Sequence, residues 1–240
     1  MTDDIKRLLV IGLNAQDGNG KTPLILAAWR GDLQTTQQLL RDGADVSIID
    51  SMGENVVHYA ARQNNLDVLA TVLQTSADKN LKSREGYRQT PLFTPATVGN
   101  VAVLRILLEH GVDPDIQDKG KFTALQWATQ QGKVECIKVL LEYGANINTR
   151  SSKKITPLIS AAISGVLESA ILLVEAGADI NAASKDGYTA LIYAAYYGHA
   201  DIVKYLLNKG ADRNAATIKG ETALTIAEKK KYDAVVAILT

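Results

Sequence analysis

A seven-residue pattern returns along the chain at nearly constant intervals. "TPLILAA" starts at Thr22, "NVVHYAA" at Asn55, "TPLFTPA" at Thr90 and "TALQWAT" at Thr123. "TPLISAA" starts at Thr156, "TALIYAA" at Thr189 and "TALTIAE" at Thr222. The intervals are 33, 35, 33, 33, 33 and 33 residues. After each of the first six copies an apolar stretch leads to "GAD" or a variant of it, at 43–45, 76–78, 111–113, 144–146, 177–179 and 210–212. A unit this short cannot bury a core alone. Each must cover the apolar face of its neighbour, so the chain is expected to stack.

Within one copy the residues predict two helices. In the sixth, Thr189 offers an N-cap oxygen ahead of Leu191, Ala194 and Ala195. Ile202, Val203, Leu206 and Leu207 then fall on one helical face, and Gly210 suits the left-handed residue that ends a helix. Thr123 and Gln126 fit a capping box. This pattern resembles the ankyrin-repeat family, whose period and T-P-L-H-x-A motif it shares over nearly the whole chain. The resemblance implies an all-α fold, an ankyrin-repeat solenoid of stacked antiparallel helix pairs with projecting hairpin-like loops. The expected organisation is one array over 1–240, with a partial N-terminal cap at 1–15. Repeats follow at 16–48, 49–83, 84–116, 117–149, 150–182 and 183–215, and a C-terminal cap repeat at 216–240. "DDIKRLLVI" matches the second helix of a repeat whose first is missing, and "EKKKYD" suits a solvent-facing cap.

Composition narrows the function. Acidic and basic residues balance at 26 each, which gives no support for a general nucleic-acid or acidic-membrane binder. The single cysteine excludes an intrachain disulfide and fits a reducing compartment, with a cytoplasmic location expected and export compatible. The N-terminal segment lacks a basic region ahead of its apolar run, and no apolar stretch approaches membrane-span length. No P-loop, dinucleotide fingerprint, HExxH or paired-cysteine pattern occurs, and "GNGK" at 18–21 has the length of an ordinary turn. His58, His110 and His199 lie in different repeats at positions with structural roles, and Cys136 replaces an apolar residue. A chain with no catalytic residue, metal or cofactor is expected.

Aromatics are scarce, and nine of the 13 fall where the family varies. Tyr59, Trp127 and Tyr193 occupy the fifth motif position; Trp29, Tyr196 and Tyr197 follow the paired alanines; Tyr87, Phe122 and Tyr188 sit at loop tips. In the family such positions line a concave partner-binding face, and aromatics make good interface anchors. With Arg30, Arg84 and Arg88 they form the expected partner-binding set. A locally basic edge adds Lys119, Lys121, Arg150, Lys153 and Lys154, with Glu85 and Asp118 as acidic companions. The expected function is a non-catalytic module, monomeric when free, that binds a folded protein. With repeats filling the chain, binding itself would be the output, as in a stoichiometric inhibitor, immunity-type protein or adaptor. The alternative is a small-molecule or nucleic-acid binder using the aromatic groove and basic edge.

One junction breaks the pattern. Thr90-Pro91 reads as a helix start, with Thr as N-cap and Pro at the first position. Pro95 then replaces the alanine found at Ala27, Ala60, Ala161 and Ala194, and a proline there should damage that helix. Ser76 replaces a C-terminal glycine, so the preceding helix must either strain or end differently. Arg88 replaces a loop glycine, and the loop is two residues longer. A finger that enters a partner is the functional expectation for it.

Overall fold

A computed structural model describes residues 1–84 and 86–240. Among these, fifteen helices occur and no extended strand beyond two isolated antiparallel bridges, Ala183 with Thr189 and Ala216 with Thr222. The chain forms two compact units, Met1–Lys119 and Gly120–Thr240.

In the first unit, α1 (Asp3–Ile11) precedes three helix pairs: α2 (Pro23–Arg30) with α3 (Leu33–Arg41), α4 (Val56–Arg62) with α5 (Leu66–Leu73), and α6 (Phe93–Val98) with α7 (Val101–Glu109). The first helices α2, α4 and α6 pack in one row and the second helices α3, α5 and α7 in another. The second unit repeats this with α8 (Ala124–Gln130), α10 (Pro157–Ser164), α12 (Ala190–Tyr197) and α14 (Ala223–Lys230) in one row. Its other row is α9 (Val134–Glu142), α11 (Leu167–Glu175), α13 (Ala200–Asn208) and α15 (Asp233–Leu239). The motif alanines explain the close approach: Ala27, Ala60, Ala128, Ala161 and Ala194 are fully buried. Larger side chains from the second helices, such as Leu69, Leu104, Ile137 and Leu173, fill the space between rows.

Caps follow the motif. Thr22, Thr123, Thr156, Thr189 and Thr222 each accept a backbone N–H in the first turn of their helix, and Asn55 does the same for α4. Behind the helices, asparagine side chains tie consecutive repeats. Asn80 Oδ1 accepts from Asp113 N at 3.0 Å, and Asn181 Oδ1 accepts from Asp212 N at 2.9 Å.

The loops between repeats are built alike. Asp50 N donates to Glu54 O, Ser151 N to Ile155 O, and Ser184 N to Tyr188 O, each closing a tip of three residues. At the third tip Ser83 N donates to Gln89 O at 3.0 Å, so the two inserted residues enlarge the tip to 84–88 while its closing bond is kept. Successive tips are joined through their backbones: Arg84 N donates to Met52 O and Lys119 N to Tyr87 O in the first unit. Ser152 N donates to Gly120 O and Lys185 N to Lys153 O in the second. The residue two before each motif has positive φ throughout. It is glycine at Gly20, Gly53, Gly187 and Gly220, but Arg88, Lys121 and Lys154 at the other three, with φ of 56°, 60° and 58°. A side chain there costs about 1–2 kcal/mol.

The irregular helix differs from its expected start. Leu92, not Thr90, is the N-cap residue of α6, and the helix has six residues. Pro95 thereby lies at the third helical position, where the N–H it lacks would have no intrahelical acceptor. The helix starts two residues later instead of kinking, and Phe93 N still donates to Thr90 O at 3.2 Å across the turn before it. The cap is forfeited as a result: Thr90 is buried, and its Oγ1 has no hydrogen-bond partner among the described residues. Ser76 does not take positive φ. The α5 end is closed instead by Thr75, whose N–H and hydroxyl both donate to Val72 O.

Candidate functional site

In the first unit the motif brings Trp29, at the end of α2, against Tyr59 on α4. Their rings meet edge to face at 6.2 Å. The Lys21 ammonium lies 4.4 Å from the Trp29 ring centre and 5.3 Å from that of Tyr59. Tyr59 is 5% exposed, so it supports the cluster from beneath, whereas Trp29 is 40% exposed and presents it. Beneath the rings lies a charged network. The Tyr59 hydroxyl donates to Asp50 Oδ2 at 2.6 Å, Asp50 Oδ1 accepts from Glu54 N, and the Arg62 guanidinium grips both Glu54 oxygens. Burial, with the Asp50 carboxylate beside it, raises the Tyr59 pKa, so the phenol stays a donor. Sequence reasoning found the two rings but missed Lys21, Asp50, Glu54 and Arg62. The available signal was Arg62 three residues after Tyr59, on one helix face.

Arg30 turns to α1 and pairs with Asp4. The Thr2 hydroxyl and Arg30 together hold the Asp4 carboxyl at about 2. Arg30 also borders an open recess of about 550 Å³ with Gln63, Asn64 and Asp67. Tyr87 is 61% exposed at the enlarged tip, and Met52 of the preceding tip, whose carbonyl accepts from Arg84 N, is exposed as well. Arg84 and Arg88 are exposed on the same tip; Arg88 lines a recess of about 90 Å³ with Lys82, Asp118 and Lys119. Asp118 is itself buried. Glu85 lies outside the described residues.

In the second unit Phe122 and Trp127 pack at 6.0 Å. Four tyrosines gather on α12 and the loop before it. Tyr188 meets Tyr193 at 4.9 Å and Tyr196 at 6.4 Å, while Tyr197 meets Tyr196 at 5.0 Å and stacks on His199 at 6.1 Å. The Lys230 ammonium lies 4.3 Å from the Tyr196 ring centre. Burial raises the Tyr193 pKa. Tyr197 is 45% exposed; Tyr188, Tyr193 and Tyr196 are half-buried.

The histidines and the cysteine serve the scaffold. His58 completes the α4 cap: Asn55 N donates to its Nδ1, and Nε2 reaches Gln89 O at 3.3 Å. His110 Nδ1 bonds Ile106 O, and His199 Nε2 lies 3.4 Å from Ile163 O. Cys136 is buried, and burial pushes its thiol up to about 11. Among the described residues no group of three or more His, Cys, Asp or Glu could hold a metal, and no helix is long and apolar enough to cross a membrane.

A family model described as ankyrin repeats (3 copies) matches residues 1–83, 77–151 and 158–240. The chain belongs to the ankyrin-repeat family. A second model, ankyrin repeats (many copies), matches 130–174. Among curated proteins the chain is similar to neurogenic locus notch homolog protein 1 of Xenopus tropicalis, 38% identical over 81 residues, covering 34% of this chain and 3% of that protein. It is similar to ankyrin repeat protein nuc-2 of Neurospora crassa, 34% identical over 111 residues, covering 46% and 10% respectively. Palmitoyltransferase AKR1 of Lachancea kluyveri matches at 29% over 125 residues, covering 47% and 16%. The chain thus spans a small part of each relative. Ankyrin repeats are in general protein–protein interaction modules.

Proposed function

We propose that this ankyrin-repeat protein acts by occupying a folded protein partner through its first-helix face and loop tips. The observation that carries the reading is the construction of the two aromatic clusters. Trp29 and Tyr197 expose large rings, and each is held by neighbouring rings, with cations packed against both clusters. Such anchors give up little rotamer freedom on binding, which is the economy that interface hot spots exploit. In the first unit Tyr87, Arg84 and Arg88 on the enlarged tip add to the contact set, and in the second unit Phe122 and Trp127 do. Stoichiometric inhibition, immunity-type protection or assembly of the partner is the mode that binding alone delivers.

Affinity capture tests this with wild type and a Trp29→Ala, Trp127→Ala, Tyr196→Ala variant whose thermal melt is checked first. Hot-spot loss should weaken capture of the partner by roughly 30-fold or more. A folded variant that keeps every partner at unchanged affinity refutes the proposed face.

A further inference from the structure

The second unit carries a row of cations where the fold prefers glycine. Lys121 and Lys154 hold left-handed φ of 60° and 58° at tips whose equivalents in the same unit are Gly187 and Gly220. The chain itself demonstrates that glycine serves this position. At both departures the residue is cationic, as is Arg88 at the equivalent position in the first unit. Turn chemistry does not favour lysine there; asparagine or aspartate would tolerate the conformation better. Lys231, the remaining non-glycine residue with positive φ among those described, has a local reason: it caps the C-terminus of α14, where a cation meets the helix dipole. Lys121 and Lys154 cap no helix.

Their neighbours extend the row. Lys153 adjoins Lys154, Lys185 follows on the next tip and Lys219 on the one after, all exposed. None of these five lysines forms an ion pair among the described residues. The acids along this edge are the buried Asp118, the exposed Asp186, and Glu221, which pairs with Lys229. Backbone bonds from Ser152 N to Gly120 O, Lys185 N to Lys153 O and Ile218 N to Asp186 O tie tip to tip, so the charges ride on a continuous, ordered edge.

We propose that this edge of the second unit binds an acidic, extended polypeptide segment, its carboxylates meeting Lys121, Lys153, Lys154, Lys185 and Lys219 in succession. The proposal rests on the protein-binding reading above and supplies the chemistry of part of the partner. A nucleic acid fits less well. Its bases need a run of open aromatic faces, and of the four clustered tyrosines Tyr188, Tyr193 and Tyr196 are half-buried against their neighbours at 4.9–6.4 Å, which leaves Tyr197 as the exposed ring among them. Five cations on a chain of zero net charge also make a short electrostatic track.

The test uses a fluorescent poly-glutamate peptide and, in parallel, a single-stranded oligonucleotide, titrated into the full chain at low salt. Wild type should bind the peptide, and added salt should weaken it. The Lys121→Gly, Lys154→Gly variant should bind it roughly tenfold more weakly, as expected for two exposed charge contacts. Its Tm should be unchanged or higher, because strain is relieved. Lys121→Asn, Lys154→Asn should show the same loss without added backbone freedom, and Lys121→Arg, Lys154→Arg should retain binding. Equal peptide affinity in wild type and both neutral variants overturns the proposal, as does tighter binding of the oligonucleotide. The aromatic-variant capture reads a different surface, so the broader protein-binding reading can fail or stand independently of this result.

Discussion

At the scale of single residues, the repeat acts as an internal set of substitutions. His58, Gln126 and Thr225 occupy the same third helical position and all reach back to their own cap. Gln126 goes further and donates to Ile155 O at 2.6 Å, the same bridge to the next loop that His58 makes to Gln89. Only the histidine titrates. Burial lowers its pKa in the fold, outweighing the nearby Glu54 carboxylate. The unfolded chain then binds the extra proton first, so stability is present above the unfolded value near 6.5 and is lost as pH falls below it. Thermal melts between pH 7 and 5 should show this decline, and His58→Gln should flatten it; an equally steep decline in the variant would assign the effect elsewhere. A second column runs through Val68, Val103, Cys136, Ser169 and Ile202, all fully or nearly fully buried. It explains the buried thiol, and it isolates Ser169, whose Oγ has no partner among the described residues. Ser169→Val should stabilise the protein by about 1–2 kcal/mol in urea titration, since the hydroxyl is desolvated without compensation. Tyr59→Phe should cost about 1–2 kcal/mol, because it leaves a buried Asp50 oxygen unpaired.

At the scale of elements, α6 shows how a helix accommodates a residue that it cannot hold. Moving its start from the motif threonine to Leu92 places Pro95 in the first turn and leaves Thr90 with a buried, unpaired hydroxyl. Pro95→Ala removes the reason for the late start. The helix should then extend back toward Pro91 and recruit Thr90 as its cap, a gain of about 1 kcal/mol with a small rise in helical circular dichroism. A destabilised variant would mean that Thr90 is held by its surroundings and not by the proline. Helix pairs, their caps and their order were legible in the sequence because each rests on local chemistry repeated seven times. The start of α6 was not, because two local rules conflicted there and a motif comparison cannot weigh them. The aromatic positions were legible as well. The Lys21–Trp29–Tyr59 cluster was not, since it joins residues from two repeats, nor was the Asp50–Glu54–Arg62 network beneath it, which lies within one repeat but depends on side-chain direction.

At the scale of the whole molecule, charge is balanced, with a pI of about 6.8. Solubility should therefore pass through a minimum near neutral pH and improve on either side, as light scattering across a pH series would register. No long-range field of one sign steers partners to such a chain, so any salt dependence of binding must come from local groups such as the lysine edge. The enlarged tip at 84–88 has one further consequence. Its closing bond between Ser83 and Gln89 is made as in the shorter tips, and its flanks still bond Met52 and Lys119. Length has been added at the one place where the frame does not register it. This makes the tip a natural graft point: a foreign epitope or affinity tag inserted beside Gly86 would be displayed while the helices to either side keep their register.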